Sequence, residues 1–287
     1  MISTASALLC RMALFCGAGL LTSVALAAAQ TPASPGALSD RFQFDVGYFR
    51  IGADTVLRYD GPQGGLGDVD FEEDLGLEED ASTLWLDTTF RLGRRHQLKL
   101  SYTALTRDRA GLNLDRSFTW GGKTYAAGLD VTATADTDIL GGYYRFAVVR
   151  TDRFEIGPAL GVGYLWLNAG IRATGSLGGI GGIPGVAIDE SAGVGSVTGA
   201  VGGYTNTWLT NRLALRADYL YIRVSPEGSE ASVNDWRAGA DYYFTRHIGA
   251  GVQYKLYRYS YQRGAFEGEL GGDITYSGVQ VFASFLF

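Results

Sequence analysis

The sequence predicts an all-β protein, a single antiparallel transmembrane β-barrel of ten strands. Three observations carry that prediction. Read backward from Phe287, every second residue is apolar: Phe287, Phe285, Ala283, Val281 and Val279, with Leu286, Ser284, Phe282 and Gln280 between them. Alternation of this kind sends one set of side chains to lipid and the other to a barrel interior. Charged residues fall on one parity of several other stretches. Short polar turns alternate with long polar or glycine-rich segments, which is the loop rhythm of a barrel crossing a membrane.

Composition agrees. The 287 residues include 41 Gly, 17 Tyr and 14 Phe but only 6 Pro. Glycine is at about twice its ordinary usage. Beyond the N-terminal segment no stretch reaches the ~18 consecutive apolar residues of a spanning helix. A net charge of −6 argues against a nucleic-acid partner, which prefers a basic face. Both cysteines, Cys10 and Cys16, lie in the N-terminal segment. The remaining chain therefore has no thiolate nucleophile or thiolate metal site.

The elements follow in order. Residues 1–29 read as a secretory signal peptide. Arg11 is the only charge, Met12 to Leu26 is apolar, and Ala27-Ala28-Ala29 precedes Gln30. Cleavage after Ala25-Leu26-Ala27 fits as well. Residues 30–40 form a polar leader, and residues 41–287 form the barrel domain. The first strand starts near Arg41, with Phe42 and Phe44 set to pair with the last. In the second, Leu84, Leu86, Thr88, Phe90 and Leu92 oppose Trp85, Asp87, Thr89 and Arg91. In the third, Leu98, Leu100, Tyr102 and Ala104 oppose Lys99, Ser101 and Thr103. In the seventh, Leu213, Leu215, Ala217, Tyr219 and Tyr221 oppose Arg212, Arg216 and Asp218. In the eighth, Trp236, Ala238, Ala240, Tyr242 and Phe244 oppose Arg237, Gly239 and Asp241. In the ninth, Ile248, Ala250, Val252, Tyr254 and Leu256 oppose Gln253 and Lys255. A charge facing lipid at mid-membrane costs ~2–4 kcal/mol, so the register is strongly specified.

Four short turns, at 93–96, 150–153, 209–212 and 245–247, suit the periplasmic side. The segments 60–80, 110–124, 174–190, 225–231 and 262–270 suit the outside. Four turns and five loops give ten strands. Glycines blur the alternation over 174–208, so eight or twelve strands stay compatible. A soluble β-sandwich with one wet face is the competing reading; the signal peptide, the final Phe and the loop rhythm favour the barrel.

The candidate interior charges are Asp87, Arg91, Lys99, Arg216, Asp218, Arg237, Asp241 and Lys255. Asp45 and Glu155 join them. Asp136 and Arg145 join too if the Gly141-Gly142 pair is a bulge that shifts register. Both signs are present, so ion pairs can plug a narrow lumen; the competing reading is a charged pore for small solutes. Asp60 to Asp80 carries nine acidic residues and no Lys or Arg. It reads as a solvated, self-repelling loop, with Phe71, Leu75 and Leu77 able to fold part of it over the mouth. Its match to a calcium loop is poor, because the Gly an EF-hand needs at position six is missing. The run 175–185 (GSLGGIGGIPG) lacks the strand–loop–helix context and the Lys-Ser/Thr of a nucleotide site. No cofactor or metal is expected. The two histidines, His96 and His247, fall in short turns, and neither has a recognisable triad partner.

The chain resembles the small outer-membrane β-barrels of Gram-negative bacteria. Phe287 and Phe285 on the last strand resemble the sorting signal read by the barrel-assembly machinery. The stretch Leu66 to Leu77, the turn Arg91-Leu92-Gly93-Arg94-Arg95-His96 and Leu98 to Tyr102 resemble a group of uncharacterised proteobacterial outer-membrane proteins. The chain does not match the site patterns of omptin-type proteases, outer-membrane phospholipases or lipid A deacylases. The resemblance implies export to the cell outer membrane. The implied partners are outer-membrane lipids, lipopolysaccharide and, during biogenesis, the assembly machinery. The expected role is a non-enzymatic barrel with a largely plugged, charged lumen, structural or surface-interacting; the alternative is a narrow porin-like channel.

Overall fold

Ten long strands form one closed wall in the computed structural model. It describes residues 41–59, 68–114, 117–120, 123–175, 186–224, 229–263 and 270–287. The predicted signal peptide 1–29, the leader 30–40 and most of the glycine run 175–185 lie outside the described residues. The strands are β1 (Phe42–Tyr59), β2 (Asp80–Arg91), β3 (His96–Asn113), β4 (Asp130–Phe146), β5 (Phe154–Gly175), β6 (Val186–Trp208), β7 (Leu213–Val224), β8 (Ser229–Tyr243), β9 (Ile248–Arg263) and β10 (Leu270–Leu286). Each pairs antiparallel with its sequence neighbours. Strand β10 also pairs with β1 (Gln43 opposite Leu286, Phe44 opposite Phe285), which closes the barrel. The backbone N–H groups of Arg41 and Phe42 donate to the Phe287 carbonyl at 2.8 and 3.0 Å, and the Phe287 N–H donates to the Phe42 carbonyl at 2.8 Å. Closure leaves no strand edge to pair with a stranger. Of the strand counts compatible with the sequence, ten is the one adopted, and among the described residues no second large sheet packs face to face as a sandwich needs.

The alternation decides which way each strand faces. Along β2, Leu84 and Leu92 are exposed while Trp85 and Asp87 are buried. Along β10, Val279 and Val281 are exposed while Gln280, Phe282 and Ser284 are buried. The short-turn half of the wall thus carries an apolar belt that includes Leu100, Leu140, Leu160, Val201, Leu215, Ile248 and Val252. Aromatic rings edge it. At the short-turn end Phe42 lies 5.0 Å from Phe90 and 6.0 Å from Phe287, centroid to centroid. At the other edge Trp236 lies 6.1 Å from Tyr254.

A membrane crossing needs about 9–11 residues of strand. Here β1 has 18 residues, β5 has 22 and β6 has 23. The surplus rises above the belt, and there the polarity of the two faces inverts. On β1, Arg50, Asp54 and Arg58 point out and are exposed, while Phe49, Ile51, Ala53 and Leu57 point in and are buried. The sequence reading assigned charge to the lumen and apolar residues to the outside along whole strands. Above the belt the outer face meets water and the inner face packs into a core, which reverses that assignment.

The upper interior is a packed apolar core. Leu105, Val131, Ala133, Leu165, Leu167, Ile171, Val233, Tyr259 and Ile274 belong to it. The segment after β1 folds down into it: Val69, Phe71, Leu75 and Leu77 are all buried. A short strand, Asp68–Asp70, pairs with β1 and starts the descent. The Asp70 carboxylate then accepts the Glu72 and Glu73 N–H groups at 3.0 and 2.8 Å, and Gly76 reverses the chain at φ +60°. A hairpin of Phe118–Trp120 and Lys123–Tyr125 covers the same core. Trp120 meets Phe71 edge-on at 5.6 Å.

One sequence expectation needs correcting here. The pair Gly141-Gly142 is not a bulge: β4 keeps register with β3 and β5 straight through it. Arg145 therefore faces in without any shift, and Asp136 sits on the other face with Thr134 and Asp138. The glycine at 141 has a packing reason. A Cβ there would collide with the Tyr143 hydroxyl, and one at Gly161 would strike the same ring at 2.7 Å. The irregularity in this pair of strands lies between Arg109 and Leu112.

Candidate functional site: the charged lumen

Below the apolar core, inward positions of β1, β2, β3, β4, β5, β7, β8 and β9 carry charge. Long side chains from opposite walls meet across a barrel this narrow. The central group is built on Asp87, which receives the Lys99 ammonium at 2.7 Å and the Arg237 guanidinium at 3.2 Å. Lys99 also faces Asp218 at 3.5 Å, and Arg145 binds the other oxygen of Asp218. Arg237 forks onto Asp235 at 2.7 and 3.2 Å and donates to the Tyr143 hydroxyl at 3.2 Å. Six charged groups from five strands are thus joined in one chain of ion pairs.

Two smaller groups lie nearer the short turns. Arg216 bridges Asp45 at 2.6 Å and Asp241 at 3.2 Å, with its guanidinium 4.4 Å from the Phe282 ring centroid. Arg91 pairs with Glu155 at 2.8 Å, and Gln97 donates to the same carboxylate. Lys255 stands apart, its ammonium 6.0 Å from the Phe49 ring and 5.6 Å from Tyr257. Asp87, Lys99, Arg237, Asp241 and Lys255 are at most 3 % exposed. An isolated ion so buried would cost several kcal/mol, so the opposite charges must be held together.

All eight predicted interior charges are found in this region. The geometry also brings in Tyr143, Asp235 and Gln97, which the sequence reading did not single out. Asp235 shares the inward parity of Arg237, so its position was available. Tyr143 was not, since aromatic residues lie on both faces.

A cavity of about 70 Å³ lies at the short-turn end among Gln43, Gln97, Arg145, Arg216, Asp218 and Tyr243. That is room for a few waters. Trp208, Tyr243 and Leu286 form a separate buried apolar cluster beside it.

A further ion pair ties the descending segment to the upper wall. Glu72 of the descending segment binds Arg107, which also donates to the Thr55 hydroxyl at 2.6 Å, while the Thr55 N–H donates to Glu72 at 2.8 Å. This corrects the reading of the acidic stretch as a solvated, repelling loop. Asp68 pairs with Arg58 at 2.6 Å, Asp70 closes a turn, and Glu72 is a buried latch. Asp60 and residues 61–67 lie outside the described residues. Among the described residues no group of three His, Asp or Glu side chains is placed to hold a metal ion.

The histidines sit at the short-turn rim. His96 Nδ1 is 2.5 Å from the Tyr144 hydroxyl. His247 Nδ1 bonds the Leu286 carbonyl at 2.7 Å, with its ring stacked 6.1 Å from that of Phe287.

No protein-family model and no curated protein sequence matches the chain. Solved structures do. The outer membrane protease OmpT from Escherichia coli matches with a TM-score of 0.53 at 12 % identity, over 90 % of this chain and 99 % of that one. The translocator domain of autotransporter NalP from Neisseria meningitidis gives 0.45 at 12 % identity, over 100 % of both chains. Ail, the attachment invasion locus protein of Yersinia pestis, gives 0.36 at 10 % identity, over 87 % of this chain and 100 % of that one. Only the first is near enough to bear on architecture, and it agrees with the closed wall and its apolar belt: the fold is that of an outer-membrane β-barrel.

Proposed function

We propose that the protein is a non-enzymatic integral outer-membrane barrel, closed along its axis, with a structural or surface-interacting role in the cell envelope. One observation carries the reading: the lumen is filled twice. A chain of buried ion pairs occupies the level of the membrane belt, and an apolar core sealed by Phe71, Leu75 and Trp120 occupies the level above. A pore needs polar walls around a continuous water path. Here the upper storey is apolar apart from the Glu72–Arg107–Thr55 network, and the lower one holds a cavity of about 70 Å³ among its ion pairs. The histidines support the non-enzymatic part. Both are engaged in rim contacts at the end remote from the long loops.

Planar-bilayer recording on refolded, inserted protein tests the proposal. The expected result is no steady current at high salt. Steady single-channel conductance would overturn the closed reading in favour of a narrow channel for small solutes.

A further inference from the structure

The two rims of the barrel differ in charge. The short-turn rim carries Arg41, Arg94, Arg95, Arg153, Arg212 and Arg246, and the first five are exposed. Among the described residues of that rim the only exposed acid is Asp152. Asp45 and Glu155 lie at the same height but are buried in the lumen network. The opposite rim leans acidic, with Glu73, Glu78, Glu79, Asp80 and Asp108 exposed or nearly so.

The arginines stand directly against the edge of the apolar belt. Arg41 precedes Phe42. Arg94 and Arg95 follow Leu92, which is 68 % exposed. Arg212 lies three residues after Leu209, 50 % exposed, and Arg246 two after Phe244, 59 % exposed. Arg153 donates to the neutral Asn211 at 3.0 Å. Guanidinium groups placed one to three residues beyond lipid-facing side chains stand at headgroup height. Their planar donor forks match phosphate oxygens. A cationic ring at the edge of a bilayer attracts anionic lipid, and the attraction decays within a Debye length.

We infer that this arginine ring is a binding surface for anionic phospholipid headgroups of the periplasmic leaflet. The inference rests on the proposed orientation, with the short turns toward the periplasm. A lipid rather than a periplasmic protein is favoured because the cations ring the whole belt edge, one or two per turn, instead of forming one patch.

The test is native mass spectrometry of the folded full-length protein titrated with phosphatidylglycerol or phosphatidylcholine. Folding is first checked by heat-modifiable gel mobility. Two variants are compared: R94Q/R95Q/R246Q at the short-turn rim, and R50Q/R258Q beyond the other edge of the belt. The expected result is preferential phosphatidylglycerol binding that weakens with salt and falls about fivefold or more in the first variant, with little change in the second. Equal binding of the two lipids overturns the inference, as does an equal loss in both variants. Retention of an acidic protein without lipid preference also overturns it. The closed-lumen reading is judged separately by conductance, so a conducting barrel that still selects phosphatidylglycerol sinks that reading and leaves this one standing.

Discussion

Arg237 shows what a single residue does in this lumen. Its five donors reach Asp87, Asp235 and Tyr143, all buried. Removing it leaves the Asp235 carboxylate without its bonded cation and Asp87 with Lys99 alone, both deeply buried. Arg237→Ala should therefore destabilise the barrel by about 3–5 kcal/mol, read by denaturant titration of tryptophan fluorescence in lipid vesicles. Arg50→Ala is the contrast. Its pair with Asp80 is 3.1 Å long, but both side chains are 71 % exposed. Solvent screening should keep its effect within about 1 kcal/mol. If the two variants lose equal stability, the lumen pairs are not what holds the wall. Parity made Arg237 readable as an interior charge. Its partners were less readable, because contacts between opposite walls depend on strand stagger, which no local pattern encodes.

The segment 68–79 is the element least like its sequence. Its acidic composition reads as a loop that solvent keeps apart. Its four apolar residues, Val69, Phe71, Leu75 and Leu77, instead carry it into the core, and Arg107 neutralises the Glu72 carboxylate that goes with them. The spacing of Phe71, Leu75 and Leu77 already pointed to a fold over the mouth; the acidic composition hid that Glu72 goes in with them. Replacing Glu72 by Leu together with Arg107 by Met should leave the segment packed, since two apolar groups can stand in for a buried pair. Glu72→Leu alone leaves Arg107 buried and unpaired. It should make residues 68–79 sensitive to a Glu-specific protease while the rest of the barrel stays resistant. Equal protease resistance in the two variants would show that the latch is idle. Among the strands, β6 was the hardest to read. Gly193, Gly195, Gly199 and Gly203 occupy outward positions around Val197 and Val201, so the apolar mark of the outward face is broken.

At the scale of the whole molecule, the barrel has two storeys of opposite sense. Where the outside is apolar the inside is charged, and where the outside is charged the inside is apolar. On β1 the period of two runs unbroken through the change, so the strand itself was legible. The reversal was not, because alternation gives parity without saying which parity is inside. Strand length was the missing clue: 18 residues are more than one crossing uses. On the proposed reading each storey closes the lumen by itself. Deleting residues 68–79 should leave a bilayer silent. The same deletion combined with Lys99→Ser and Arg237→Ser should open a measurable current. Current from the deletion alone would mean that the ion-pair layer leaks.

Nine of the ten contacts around the wall join strands that follow one another in the chain. The tenth joins β1 to β10, where Gln43 donates to Ser284 at 3.3 Å across 241 positions of sequence. Nearly the whole chain must be in place before that ladder can zip, and loop-closure entropy and contact order both make such pairing slow. The clock of assembly is thus set at a single seam. The strand that is synthesised first waits longest for its second neighbour.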